Sequence, residues 1–403
     1  MPRIGRWLAK LAVGGAALPS LAALAVRARL RPRRRVPALF WGTQPVINIK
    51  YHAEAARRQG FPSETVASHV YAINEPEDFD HTTEAFVARS ALLRRLPPAL
   101  GRHLAAFWIF GWAVGRFDIF NYYFDGLVLR DTALAPLELA LLRLAGKRTV
   151  FMPYGSDVQA IDRVRGLPFK HALMLQGARP WLEARRVRER LDWVSARADL
   201  VVSGVDWVDS MPRWDVLTAG HFAIDTALWA PVPRPERRPG EPVVVVHAPN
   251  HRELKGTRLL VRACEELRAE GLPLELRLLE RQPNEAVRRA IAEADIVADQ
   301  FVIGWYALFA IEGMSMEKPV LAFLRPDLHE LFSLHSFAAE CPIVDTPPGA
   351  IKERLRELVL DSARRRELGV RGRDYVTRHH SLEAVGAWLA ELYRGLWPVE
   401  SGQ

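Results

Sequence analysis

The sequence predicts an α/β protein built from two successive doubly wound, Rossmann-like domains that face each other across a cleft. Three observations carry that expectation. From residue 36 onward, short apolar runs alternate with amphipathic stretches, the pattern of parallel strands joined by helical crossovers. A Pro- and Arg-rich stretch at 231–242, holding Pro231, Pro233, Pro235, Pro239 and Pro242, then interrupts the alternation and reads as a domain linker. The alternation restarts on Val243-Val244-Val245-Val246, a continuous apolar run suited to the centre of a parallel sheet.

The elements follow in order. Residues 1–35 form a basic and apolar arm, and 36–230 the first domain. Within it 37–41 reads as a strand, Gly42-Thr43-Gln44-Pro45 as a turn, 46–59 as a helix and 63–71 as a second strand. A helical region partly broken at Pro97-Pro98 covers 83–114, followed by a strand at 118–124, a helix at 136–145 and a strand at 148–153. A long charged helix is expected over 170–197 and a strand over 200–203. In the second domain, 243–380, strands are expected at 243–246, 274–279, 296–298 and 320–323. Helices are expected there at 257–270, 284–294, 306–316, 347–359 and 361–378. Ser381 reads as the N-cap of a final helix that runs to about residue 397, within a terminal segment 381–403. No short internal repeat is present.

Composition narrows the function. A chain of 403 residues spans about two to three domains and can bury a core without disulfide or metal staples. With 49% hydrophobic and 25% charged residues it is not a disordered, collagen-like or coiled-coil chain. Two cysteines, Cys264 and Cys341, exclude a disulfide scaffold, and no Cys/His spacing suggests zinc. The net charge of +8 belongs to the arm: residues 1–35 hold nine cations and no acid, and the remainder carries 46 cations against 47 acids. Nucleic acid is therefore not an expected partner.

The arm contains an uncharged run, 11–26, that falls short of the ~17-residue lower limit of a bilayer span and is interrupted by Gly14, Gly15 and Pro19. Its favoured reading is a surface anchor, with the apolar run in the headgroup boundary and Arg27–Arg35 facing anionic lipid. The alternatives are an inert leader, a signal peptide with Ala23-Leu24-Ala25 as its cleavage site, and a membrane span. The expected location is cytoplasmic, peripheral on the inner face of the membrane.

Two clusters can carry chemistry. The first, His247-Ala248-Pro249-Asn250-His251-Arg252-Glu253-Leu254-Lys255-Gly256-Thr257, follows the strongest strand and opens a helix. Arg252 and Lys255 suit a diphosphate clamp, helped by free N–H groups at the helix start. The second runs from Gly304-Trp305-Tyr306-Ala307 to Lys318-Pro319-Val320 and places Glu312 in an otherwise apolar helix, where an unpartnered carboxylate is costly. A ribose diol would satisfy it. An ordinary solvated loop and a helix-edge ion pair are the plainer readings of the two clusters. Asp78-Phe79-Asp80 spells a metal-binding D-x-D, but in an acidic loop without the pattern such sites need. The aromatic run Phe107, Trp108, Phe110, Trp112 and Phe117 reads first as core and second as a lipid-acceptor groove. His379-His380 reads as a helix-end pair.

In this order and spacing, the two clusters resemble the C-terminal domain of family 4 retaining glycosyltransferases, which have the GT-B fold. The stretch Ala294-Asp295-Ile296-Val297 through Glu312-Gly313-Met314 to Lys318-Pro319-Val320 is similar to that family's AD-(variable)-E-x7-E-A-M-A-x-G-x-P-V element. The likeness is strong over 243–322 and weaker over 38–230, where Gly42 ends the first strand and Tyr154-Gly155-Ser156-Asp157 resembles an H-G-x-D turn. It implies a glycosyltransferase that moves a sugar from a nucleotide-diphosphate sugar to a glycan or lipid-linked hydroxyl, retaining and without metal or resident cofactor.

By position, it implies Arg252 and Lys255 on the donor diphosphate and Glu312 on the ribose. Gly304, Trp305, Tyr306 and Ala307 would present backbone N–H groups to phosphate, with Gly256 and His247 beside them. Asp157 would act on the acceptor or sugar side, and Gly42, Thr43 and Gly155 would line the acceptor side. Ser381-Leu382-Glu383 resembles the start of a helix that crosses back to the first domain. The sequence departs from the family where its first Glu falls on Gly304 and its histidine on Tyr154, and where Arg252 stands closer to the lysine. Two other functions fit the same architecture: a nucleotide-sugar epimerase, and a silent binding protein at the membrane.

Overall fold

The computed structural model describes residues 3–71, 74–176, 179–233 and 240–398, with side chains from Lys10 onward. Pro235 and Pro239 of the expected linker, the side chains of Arg3 and Arg6, and 399–403 of the expected terminal segment lie outside the described residues.

The chain opens with α1 (Arg3–Arg29), β1 (Leu39–Thr43), α2 (Asn48–Arg58), β2 (Ser63–Ala67) and β3 (His81–Thr82). It continues with α3 (Thr83–Arg89), α4 (Ala91–Arg94), α5 (Pro98–Arg116), β4 (Ile119–Tyr122), α6 (Glu138–Leu144) and β5 (Arg148–Phe151). The first domain closes with α7 (Leu167–Met174), α8 (Pro180–Ser195), β6 (Leu200–Gly204) and β7 (Val216–Thr218). The second begins with β8 (Val243–His247), α9 (Arg252–Lys255), α10 (Thr257–Ala269), β9 (Leu274–Leu278) and α11 (Asn284–Glu293). Then come β10 (Ile296–Ala298), α12 (Leu308–Ser315), β11 (Val320–Ala322), α13 (Pro326–His335) and β12 (Val344–Asp345). Three helices end it: α14 (Ile351–Leu360), α15 (Ser362–His379) and α16 (Leu382–Leu396).

Among the described residues these strands form two parallel sheets, ordered β3-β2-β1-β4-β5-β6-β7 and β12-β11-β10-β8-β9. Both are doubly wound. The order reverses between β1 and β4 in the first sheet and between β8 and β10 in the second. Ligands of such sheets bind where the order reverses, outside the carboxyl ends of the strands. The register there brings Gly42 opposite Tyr122 in the first sheet and Val246 opposite Val297 in the second. The central strands are buried on both faces, as their unbroken apolar runs require: Phe40, Phe120, Val245 and Val246 have no exposure.

The two domains share one apolar core, which runs from β1 and β4 through Trp305 and Tyr306 to Tyr375 and Tyr393. Polar ties cross with it. Trp305 Nε1 donates to the Ala219 carbonyl at 2.8 Å, and Arg325 pairs with both Asp209 oxygens at 2.6 and 3.0 Å.

The last helix crosses back to the first domain. Ser381 caps it by accepting from the Ala384 N–H at 3.1 Å. α16 then packs on α2, with Arg58 paired to Glu383 and Gly386 against the Ala55 carbonyl. Tyr393 Oη donates to Asn121 Oδ1 at 2.8 Å, and Trp397 Nε1 to the Arg34 carbonyl at 3.0 Å.

Several expectations are corrected. Gly14, Gly15 and Pro19 do not interrupt the arm. They lie within α1, and its 20-residue stretch Lys10–Arg29 is long and apolar enough to cross a membrane. Docking supplies what local propensity lacks. Leu21 and Ala25 are buried on α5 and α6, Gly111 admits Leu24, and Lys10 Nζ donates to the Asp131 carbonyl at 2.8 Å. Leu11 and Val26 stay exposed on the helix. The long helix expected over 170–197 is two helices, α7 and α8. The short edge strands β3, β7 and β12 and the helix α13 had no periodicity long enough to reveal them.

Candidate active site

The carboxyl ends of the two sheets face one another. In the first domain the end of β1 is tied to the loop after β4: Thr43 N and Oγ1 both donate to the Gly126 carbonyl, at 2.9 and 3.0 Å. Gly42 sits where a Cβ would lie 2.8 Å from the Phe40 ring, so the close crossing needs glycine. In the second domain the loop after β8 leads into α9, and Asp299-Gln300 follows β10 directly.

Between the ends lies a cleft cavity of about 190 Å³. Tyr154, Gly155 and Asp206 line it from the first domain, and Asn250, Lys255 and Gln300 from the second. Lys255 is buried, and its Nζ donates to Asp299 Oδ1 at 3.0 Å and Gln300 Oε1 at 2.6 Å. Gly256 follows it at φ +72, ending α9 so that α10 can begin, and a Cβ there would press on Phe301 and Val302.

The remaining residues named from sequence separate into two groups. Tyr306 lines the cavity and donates or accepts with Tyr375 Oη at 2.8 Å and His380 Nε2 at 3.1 Å. Glu312 is buried on α12, and burial, reinforced by nearby Asp299 and opposed by Lys255, pushes its carboxyl up to about 8. Asp157 is buried and holds its turn: Oδ1 accepts from the Tyr154 and Gly155 N–H groups at 3.0 and 2.9 Å, and Oδ2 from Phe124 N at 3.1 Å. Burial, with Asp125 nearby, raises it to about 7 against those three bonds.

Others stand off the cavity. Arg252 faces away and makes a two-pronged pair with Glu280 at 2.7 and 2.6 Å. His247 is buried between strands, bonded to the Ala298 carbonyl at 2.7 Å and Thr257 Oγ1 at 2.9 Å. Trp305 is buried in the domain contact, and Gly304 (φ +106) gives way to Arg325, whose N–H donates to the Gly304 carbonyl at 2.9 Å. The backbone N–H of Ala307 is taken by Asp299 Oδ2 at 2.8 Å.

Sequence reading missed Asp299, Gln300, Asp206 and Asp125. The first two follow a strand end directly, which is the signal that would have found them. Asp206 is buried in the cavity wall, and burial raises it to about 7. Asp125 accepts from Tyr154 Oη at 3.2 Å and leaves Oδ1 buried without a partner. The D-x-D carboxylates are engaged by the protein: Asp78 by Lys50 at 2.6 Å, and Asp80 by Arg57 at 2.5 Å and Thr65 N at 2.8 Å. Among the described residues no three His, Cys, Asp or Glu side chains gather as a metal site.

A larger cavity of about 720 Å³ opens on the first domain, beside Thr43 and His69 at the ends of β1 and β2. Its far wall is α1, through Lys10 and Val13, and α5, through Ala106 and Ile109. Arg130 lines it and donates to the Asp125 carbonyl at 2.8 Å, so Asp125 joins this cavity to Tyr154 in the cleft.

Solved structures show the same architecture. Sucrose-phosphate synthase (tll1590) from Thermosynechococcus elongatus superposes with a TM-score of 0.57 at 16% identity, covering 90% of this chain and 99% of that one. The catalytic domain of starch synthase IV from Arabidopsis thaliana, bound to ADP and acarbose, gives 0.55 at 12% identity over 90% and 100%. A glycosyltransferase from Rickettsia africae ESF-5 gives 0.53 at 11% identity over 91% and 100%. No family model matches the chain, and no curated protein matches its sequence. The chain has the GT-B fold.

Proposed function

We propose that this chain is a glycosyltransferase that moves a sugar from a nucleotide-diphosphate sugar to a lipid-linked or glycan hydroxyl. The observation that carries the reading is the cleft at the switch points of both sheets, with Lys255 as the cation set into it. Lys255 meets the diphosphate, exchanging Asp299 and Gln300 for phosphate oxygens. Glu312, on the same side, meets the ribose.

In the reaction the acceptor oxygen bonds to the anomeric carbon as the carbon–oxygen bond to the diphosphate breaks. The electron pair goes to the leaving oxygen, where the fixed positive charge of Lys255 stabilises it. The acceptor's proton passes to the departing diphosphate. Retention follows from the resemblance described above, and a reaction without metal from the charge that Lys255 supplies.

The cavity between α1 and β1 supports a lipid-linked acceptor. Its apolar wall joins Val13 of the arm to Leu100, Ala106 and Ile109 of α5, and the exposed Leu11 and Val26 of the arm suit a membrane surface on the cytoplasmic side.

The test is a thermal-shift screen against nucleotides and nucleotide sugars. A ligand at 100 times its Kd adds about 2.7 kcal/mol of stability. One nucleoside diphosphate and its sugars should raise the midpoint, and Lys255→Gln, which keeps a donor for Asp299, should lose that rise. A rise unchanged in Lys255→Gln would sink the donor assignment.

The silent binding protein is the second reading. It is favoured by Arg252 lying against Glu280, and by three carboxyls, Asp206, Asp299 and Glu312, around one lysine. Nucleotide binding without release of nucleoside diphosphate from any donor, with or without acceptor, would select it.

A further inference from the structure

At the amino ends of β1, β4 and β5, on the side of the first sheet opposite the cleft, lies a cavity of about 490 Å³. Among the described residues eight cations and one carboxylate, Asp118, line it. Its walls are the end of α1 and the segment after it, the end of α5, the turn after α6, and Trp397. Ligands of parallel α/β sheets bind at the carboxyl ends, so this cavity is separate from the donor cleft.

The cations are held in place. Arg31 donates to the Gly115 carbonyl at 2.5 Å and Arg34 to the Arg116 carbonyl at 2.7 Å. Arg33 stacks on Trp397, 3.9 Å from the ring centre, and Arg29 lies against Gly146. Negative charge is short. Asp118 already serves the Ala38 N–H at 3.0 Å, Lys147 at 3.2 Å and Arg34 at 3.4 Å. Among the described residues Arg29, Arg31, Arg33 and Arg143 have no carboxylate partner. The Lys147 ammonium is pulled below its usual range by burial, with Arg34 and Arg31 adding to the effect against Asp118. An anion with several oxygens is the complement such a site lacks, and the arginine forks match phosphate oxygens two at a time.

We infer that this cavity is a binding site for phosphoryl groups, independent of sugar transfer. The shared chemistry has two sources. One is the headgroup of an anionic lipid, which the exposed Leu30 and Val36 beside the cavity suit. The other is a soluble phosphate compound.

The experiment compares the full chain with Arg29→Glu/Arg31→Glu, and with the charge-matched Arg185→Glu/Arg186→Glu on α8. Each is checked for an unchanged melting midpoint, and Arg29→Glu/Arg143→Glu replaces the first pair if it does not fold. One arm measures co-sedimentation with phosphatidylcholine vesicles with and without phosphatidylglycerol. The other titrates inorganic pyrophosphate by calorimetry. Any pyrophosphate bound in the cleft is common to all three proteins and cancels. Binding roughly tenfold weaker in the cavity variant than in the control establishes the site. Loss on the vesicles assigns the lipid source, and loss with pyrophosphate the soluble one. Equal binding by cavity variant and control in both arms, or no binding to either probe, overturns the inference.

Discussion

Lys255 and Arg252 were paired by sequence as one clamp, yet they face opposite ways. They sit at the two ends of α9, a four-residue helix. Which way its ends turn depends on Glu280, 28 residues distant, and no local pattern reports that. The consequence is a difference in mutational cost. Arg252 is exposed and its ion pair with Glu280 is of the solvent-screened surface kind, which adds little to stability. Arg252→Ala should therefore leave stability nearly unchanged and donor affinity within about threefold. Isothermal titration of the nucleotide found by the screen checks this. A loss as large as that in Lys255→Gln would mean that Arg252 swings into the cleft. Glu312 was legible as a carboxyl in an apolar run. Its neighbours Asp299 and Gln300 were not, because they follow a three-residue strand with little pattern of its own.

Elements with sustained periodicity were legible, and their order fixed the fold. β8, α10, α11, α15 and α16 fall where the sequence pattern put them, while β1 lies two residues later than expected and takes Gly42 and Thr43 out of the expected turn. What escaped was set by contacts far along the chain. α1 is a docked helix because α5 and α6 receive it, and nothing within residues 1–35 announces those partners. One close seam is between α16 and α2. A Cβ on Gly386 would lie 2.6 Å from the Ala55 carbonyl, which is backbone and cannot turn aside. Gly386→Ala should cost about 1–3 kcal/mol, despite alanine's better helix propensity. Urea denaturation measures it, and a gain in stability would show that the two helices are not in contact in solution.

Across the whole molecule, buried titratable groups set how stability follows pH. Glu138, Asp157 and Asp206 are raised to about 7 and Glu312 to about 8, burial being the first cause in each. Burial also lowers His52, His247 and His380 to about 4 and His221 to about 3. Below pH 6.5 the two sets oppose one another: the histidines lose stability as pH falls, and the carboxyls gain it. Above pH 6.5 the unfolded histidines lose their remaining protons and the carboxyls come to dominate. The folded chain then holds more protons than the unfolded one, so stability should fall as pH rises toward 8. Glu312→Gln should flatten part of that fall, by up to about 1.4 kcal/mol per pH unit. Calorimetric midpoints across this range decide it, and a midpoint that climbs would contradict the burial of these carboxyls. The crossing of α16 has a consequence in time. Its partner α2 leaves the ribosome more than 300 residues earlier, so the first domain waits for α16 before it is sealed. A chain stopped short of residue 382 lacks that closure, and its unfinished apolar seam is what a chaperone or protease would meet.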